Sequence, residues 1–282
     1  MSVVHLHIDP FAGIAGDMFL GACLDLGADL AAIEAALEPL PIERAYRISA
    51  EPTYRHAIRG MDLKVHLLDN PDPAKAHRHD HHHEHEQAHD HHHDGTVPST
   101  GRGHGHTGYR QILRMIDQLE TSERAKDRAR AIAGRIAEAE AKVHGTDVDH
   151  VHFHEVGAVD SIVDMLGSAV ALELLGVESL SCGPLPIGHG FVRCDHGNMP
   201  LPAPATAQIL TEVPHFGVDR IGETVTPTGA AIVAACCRSF GPMPPMKVRR
   251  IGYGAGDRDP ADVPNLLRLF LGEPVACQPP VV

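Results

Sequence analysis

Val3-Val-His-Leu-His-Ile8, Asp9-Pro-Phe-Ala-Gly-Ile-Ala-Gly16 and Asp17 open the chain as strand, loop and helix start. Residues 3–8 read as a short strand that ends at Asp9. The run Phe11-Ala-Gly-Ile-Ala-Gly16 is a small-residue loop. Asp17 begins a helical pattern that passes through Leu20, Leu24 and Leu26 to Gly27. Asp29 can cap a second helix that ends near Pro39. This start points to an α/β fold, with mixed α+β as the variant, in one compact body.

The texture then changes. From Arg44 to Leu68, apolar and polar residues alternate, as in Leu63-Lys64-Val65-His66-Leu67. That predicts strands with a turn near Pro52 or Gly60. Helices are expected at 109–119, at 123–144 between Ser122 and Gly145, and at 157–175 before Gly176. Residues 151–153 and 180–182 read as short strands. Pro- and Gly-rich connections follow at 183–188, 200–204, 226–229 and 252–256. They separate helices near 205–211 and 229–239, and strands at 247–251 and 265–271.

The chain has 282 residues, 43% of them apolar, which suffices for a real core. Histidine is the anomaly: of 23, twelve fall between His77 and His106. Residues 70–108 are low in complexity and are expected to form a flexible insertion. The core then divides into 1–69 and 109–272, with a tail at 273–282. The formal charge is −13, and the insertion accounts for only −3 of it. A body this acidic, without Trp and with 4% aromatics, excludes nucleic acid as a partner. The six cysteines, Cys23, Cys182, Cys194, Cys236, Cys237 and Cys277, form no C-x-x-C pair. No run of about 18 apolar residues spans a membrane, and His5, His7 and Asp9 exclude a signal peptide. A cytoplasmic protein is expected.

Three constellations can carry chemistry. Residues 77–94 hold ten His and five acids, among them His81, His82, His83, His85, His91, His92 and His93. Neutral imidazole at this density suits Ni, Cu and Zn. The tract is read as accessory metal storage or delivery; a merely solvated linker is the alternative. The second constellation is His152-Phe-His154-Glu155 with Asp160 and Asp164. In an extended segment His152 and His154 share a face and Phe153 points to the core. Asp160 and Asp164 then lie one helical turn apart. The alternative is a capping Asp160 beside ordinary surface histidines. The third joins Asp9 and Asp17 across the glycine loop, where acids can hold a metal and backbone can approach a phosphate. A simple strand–turn–helix is the competing reading. Thr226 and Thr228, at a helix start before Gly229, can likewise bind an anion.

Asp9-Pro-Phe-Ala-Gly-Ile-Ala-Gly-Asp17-Met, Val151-His-Phe-His-Glu-Val-Gly-Ala-Val-Asp160-Ser-Ile-Val-Asp164, Gly190-Phe-Val-Arg-Cys-Asp-His196-Gly, Pro202-Ala-Pro-Ala-Thr206, Thr226-Pro-Thr-Gly-Ala230 and Ile251-Gly-Tyr-Gly-Ala-Gly256 occur here in order. Together they resemble the nickel-insertion proteins of the lactate racemase pincer cofactor, the pyridinium-3,5-bisthiocarboxylic acid mononucleotide nickel chelatases. The resemblance covers nearly all of residues 3–272 and includes a His-rich insertion at this place. It implies insertion of Ni(II) between two thiocarboxylate sulfurs and a ring carbon, with consumption of CTP. Full-length members continue into a C-terminal domain expected to hold the CTP, and this chain stops at Val282. The implied partners are the thiocarboxylated mononucleotide, a separate C-terminal subunit, the apo-racemase and further copies of the chain.

Forming a nickel–carbon bond requires a base for the ring proton. Glu155, His154 and His196 are the candidates. Asp9, Asp17, His152, His154 and Asp160 are the expected nickel ligands. The substrate phosphate is expected at Gly13–Gly16 or at Thr226, Thr228 and Gly229. Two other classes compete: a nickel-storage module without catalysis, and a metal-dependent phosphoesterase.

Overall fold

A computed structural model describes residues 3–42, 46–68, 107–153, 158–194 and 197–275. Strand β1 (His5–Asp9) lies inside a seven-stranded mixed sheet. With β2 (Tyr46–Arg55), β3 (Ile58–Leu67), β6 (Ser179–Cys182), β11 (Cys237–Phe240), β12 (Met246–Ala255) and β13 (Leu266–Pro274), the order is β11-β6-β1-β13-β12-β3-β2. β1 runs parallel to β6 and antiparallel to β13, which puts chain start and chain end side by side. Leu6 and Ile8 pair with Leu271 and Leu269 and face the helices, all nearly without exposure. His5 and His7 alternate to the other face, where Ser179 and Ser181 hydroxyls bond their rings at 2.8 Å.

The helices form the second layer. α1 (Gly16–Asp25) crosses β12, β3 and β13 and packs on α5 (Val159–Leu174). α2 (Leu30–Leu37) and α4 (Glu123–His144) also pack on α5, and α3 (Tyr109–Gln118) packs on α4. α4 in turn supports α6 (Pro204–Ile209) and α7 (Pro227–Cys236). The caps fall where expected: Asp29 accepts Ala31 N, Ser122 accepts Ala125 N, and Gly145 closes α4 at φ +63°. Three small pairs complete the fold: β4 (Thr107–Gly108) with β5 (His152–Phe153), β7 (Leu185–His189) with β10 (His215–Ile221), and β8 (Phe191–Cys194) with β9 (Gly197–Pro200).

Four sequence expectations need correction. The β2–β3 turn is His56-Ala57, both at positive φ, whereas Pro52 and Gly60 sit within the paired strands. Pro52 is tolerated because β2 is an edge strand. Cys237–Phe240 is a strand, so the helix after Gly229 stops at Cys236. Residues 183–188 and 252–256 are not mere connections, since β7 and β12 run through them. The glycines of β12 serve packing. A Cβ on Gly254 would stand 1.8 Å from Met18 O, and one on Gly252 2.4 Å from Ala22 O. Only bare backbone lets α1 lie this close to the sheet. Finally, Thr107 and Gly108 are paired to β5 rather than part of the insertion's low-complexity run. The histidine tract, with His81, His82, His83, His85, His91, His92 and His93, lies outside the described residues.

Candidate metal- and anion-binding cavity

Three helix N-termini meet at one cavity of about 400 Å³. α1 brings Gly16 and Asp17, α5 brings Asp160, Ser161 and Asp164, and α7 brings Thr226, Pro227 and Thr228. Lys64 on β3, Glu223 and Asp257 complete its polar lining. The segment 224–226 fastens the first loop to this place: Thr224 O accepts Ile14 N at 2.9 Å, and Ile14 O accepts Thr226 N at 3.1 Å.

Asp164 sits deepest. A Cβ on Gly16 would come 2.7 Å from its Oδ2, so the glycine makes room for the carboxyl. The Asp17 backbone N–H donates to Asp164, but Oδ1 is sealed from solvent and has no hydrogen-bond partner. Burial pushes the Asp164 carboxyl well above the usual range, and the charges of Asp17 and Asp160 push it further. Burial also raises Asp17, against the pull of the Met18 N–H and of Lys64. Lys64 is itself shared between Asp62, at 3.0 Å, and Asp257. Each carboxylate at a helix start also accepts the next amide: Met18 N to Asp17 Oδ1 and Ser161 N to Asp160 Oδ1, both 2.8 Å. The dipoles of the helices favour negative charge here.

Of the residues expected to act, Gly16, Asp17, Asp160, Thr226 and Thr228 come together in this cavity. Gly13, Asp9, Gly229 and His152 are not part of its lining. Asp9 is bonded by Arg268, with Nε at 2.9 Å, and that guanidinium lies over Phe11 and Phe270. Asp9 is thus an ion-pair partner at the strand end, away from this cavity's lining. The Gly13 N–H bonds Pro10 O, and its α-carbon packs on Thr224 O. Gly229 gives its N–H to Thr226 Oγ1 and lies against Ile14 O. Thr226 and Thr228 hydroxyls bond each other at 3.0 Å. His152 is exposed on β5, while Phe153 is fully buried as expected. His154, Glu155 and His196 lie outside the described residues.

Among the described residues, no three His, Cys, Asp or Glu side chains form a ready metal cluster. Ligation at this cavity would need substrate or water donors as well. Lys64, Ser161 and Asp257 were missed from sequence. Lys64 read only as the polar member of an alternating strand, and nothing local ties it to Asp257, nearly two hundred positions away. The lining carries five carboxyl side chains and one lysine.

By fold and cavity this is an α/β protein with an acidic, polar candidate site framed by helix N-termini. The family described as nickel insertion protein matches residues 6–280, and the chain belongs to that family. A Geotalea daltonii protein named for nickel insertion is 44% identical over 270 residues, covering 95% of this chain and 60% of that relative. A Desulfitobacterium hafniense protein is 39% identical over 267 residues, covering 95% of this chain and 58% of its own length. It is named pyridinium-3,5-bisthiocarboxylic acid mononucleotide nickel insertion protein. The chain thus spans about 60% of the length of such relatives. No solved structure matches it. Among the described residues, no helix is long and apolar enough to cross a membrane.

Proposed function

We propose that this chain inserts Ni2+ into pyridinium-3,5-bisthiocarboxylic acid mononucleotide, as a chelatase of the lyase class. The observation that carries the reading is the meeting of Asp17, Asp160 and Asp164 with three helix N-termini in one cavity. A divalent ion offsets the repulsion that burial imposes on these carboxyls. The helix starts favour the anionic groups of the mononucleotide, and the start of α7 at Thr226–Thr228 is where its phosphate is placed.

Nickel is a substrate here, so its ligands must release it. The thiocarboxylate sulfurs are softer donors than carboxylate oxygens, which favours passage of Ni2+ to the mononucleotide. Closing the nickel–carbon bond expels one ring proton, taken up by a base. Glu155, His154 and His196 stay the proposed bases. CTP is assigned to no residue of this cavity. A C-terminal subunit, the apo-racemase and a further copy of the chain are the proposed partners. Four described cysteines are free thiols, consistent with a reducing cytoplasm.

The test is insertion measured with purified mononucleotide and Ni2+. Asp17→Asn and Asp164→Asn are each expected to lower the rate at least about tenfold, or about 1.4 kcal/mol. Thr226→Val should raise KM for the mononucleotide more than it lowers kcat. Wild-type rates in both aspartate variants would sink the cavity assignment. Normal insertion by alanine variants at His154 and Glu155 would remove them as bases.

A further inference from the structure

The rim of the aspartate cavity carries a cation that metal binding does not use. Asp257 lines the cavity and pairs with Lys64. The next residue, Arg258, reaches to Glu223, which also lines the cavity, and its Nη2 donates to Glu223 O. Its Nη1 lies over Gly222, where a Cβ would collide with it. Gly222 sits at φ +109°, so bare backbone makes the bed for the guanidinium. The arm is anchored at its root as well. Asn265 Nδ2 donates to Arg258 O at 2.9 Å, and Asn265 O accepts Gly256 N at 3.1 Å.

The guanidinium is held in place without an anion. Neighbouring cations are neutralised: Arg220 by Asp262, Arg268 by Asp9, and Lys64 by Asp62 and Asp257. Among the described residues Arg258 pairs with no carboxylate, and its bond goes to a backbone carbonyl. One carbonyl occupies one of five N–H donors. The rest of this exposed fork is free to face solvent or a ligand. A planar fork of donors matches two phosphate oxygens at once.

Its position adds to this. Arg258 is bedded on Gly222 and Glu223, from which the chain runs directly to Thr226 and the start of α7. An unpaired guanidinium and a positive helix pole therefore share one side of the cavity. At the floor the demand is opposite, because Asp164 Oδ1 is sealed from solvent and has no hydrogen-bond partner. The site thus asks for a cation inside and an anion at the rim. A metal-binding head joined to a phosphate answers both.

We propose that Arg258 is a specificity residue that grips the substrate phosphate at the cavity rim, against the start of α7. The identity of the ligand rests on the insertion reading. The selection of a phosphorylated over an unphosphorylated ligand rests on Arg258 itself.

The test is calorimetric binding of two probes to the full chain: the thiocarboxylated mononucleotide and the nucleoside made by removing its phosphate. Wild type is expected to bind the mononucleotide at least about tenfold tighter, the range of a hydrogen-bonded charge. Arg258→Ala should weaken the mononucleotide to the level of the nucleoside and leave nucleoside binding unchanged. Arg258→Lys should keep part of the difference, since it retains the charge without the fork. In the insertion assay Arg258→Ala should raise KM for the mononucleotide with kcat near wild type. An unchanged thermal midpoint shows that the variants are folded. Equal affinity of wild type for the two probes overturns the proposal. So does an Arg258→Ala variant that keeps the preference or weakens both probes alike. If the preference depends on Arg258 but no nickel is inserted, the insertion reading falls and the phosphate seat stands.

Discussion

Asp164 shows how one side chain ties fold to chemistry. Its carboxyl is held well above the usual range, first by burial and then by Asp17 and Asp160. In the folded chain it keeps a proton at a pH where the unfolded chain has released one. Stability therefore falls as pH rises out of the ordinary carboxylate range, until the raised folded value is passed. Asp164→Asn removes that slope. We expect the variant to match wild type near pH 4 and to exceed it near pH 7, where an unfolded Asp is ionised. Urea midpoints across that window check this; parallel curves for the two proteins would refute it. Gly254 makes a second residue-scale point. Gly254→Ala drives a methyl into Met18 O and should cost about 1–3 kcal/mol. Gly217→Ala, on β10 with nothing within 4 Å, should cost well under that in the same urea titration.

At the scale of elements, the β2–β3 hairpin carries avoidable strain. Its turn residues His56 and Ala57 sit at φ 47° and 65°, a region costly for any residue with a Cβ. Ala57→Gly should raise the unfolding free energy by up to about 1 kcal/mol, visible as a higher thermal midpoint. An unchanged or lower midpoint would show that the turn is not strained at Ala57. This turn was misplaced from sequence because His-Ala carries no turn signature, whereas Pro52 and Gly60 do. By contrast, the helices were legible through their caps: Asp29, Ser122 and Gly145 mark their ends by local chemistry. Strand β7 was hidden because Leu185-Pro-Ile-Gly-His reads as a connection. β11 was hidden because Cys237 continues the small apolar run of α7. The candidate site was half legible for a similar reason. Asp17, Asp160 and Thr226 stand at helix starts, where sequence speaks. Lys64 and Asp257 meet only through the order of the sheet. The ion pair of Asp9 was not legible locally, because its partner, Arg268, comes from the far end of the chain.

At the scale of the whole molecule, the proposed insertion cavity and the histidine tract belong to separate parts of the chain. The folded body brings helix starts at residues 16, 159 and 227 to one cavity. The tract at 77–94 joins that body between β3, which ends at Leu67, and β4, which begins at Thr107. If the body transfers nickel, the tract can only raise supply; if the protein is a store, the tract holds most of the cargo. Deleting residues 77–94 distinguishes these. Shortening a connection by about half changes its closure entropy by only about 0.6 kcal/mol. The thermal midpoint should therefore hardly move. Nickel capacity measured by equilibrium dialysis should drop by most of its total. Insertion rate at saturating Ni2+ should stay at the wild-type level, while at scarce Ni2+ it should fall. A deletion that abolished insertion even in excess nickel, with the fold intact, would place the chemistry in the tract. It would also reduce the aspartate cavity to a structural feature.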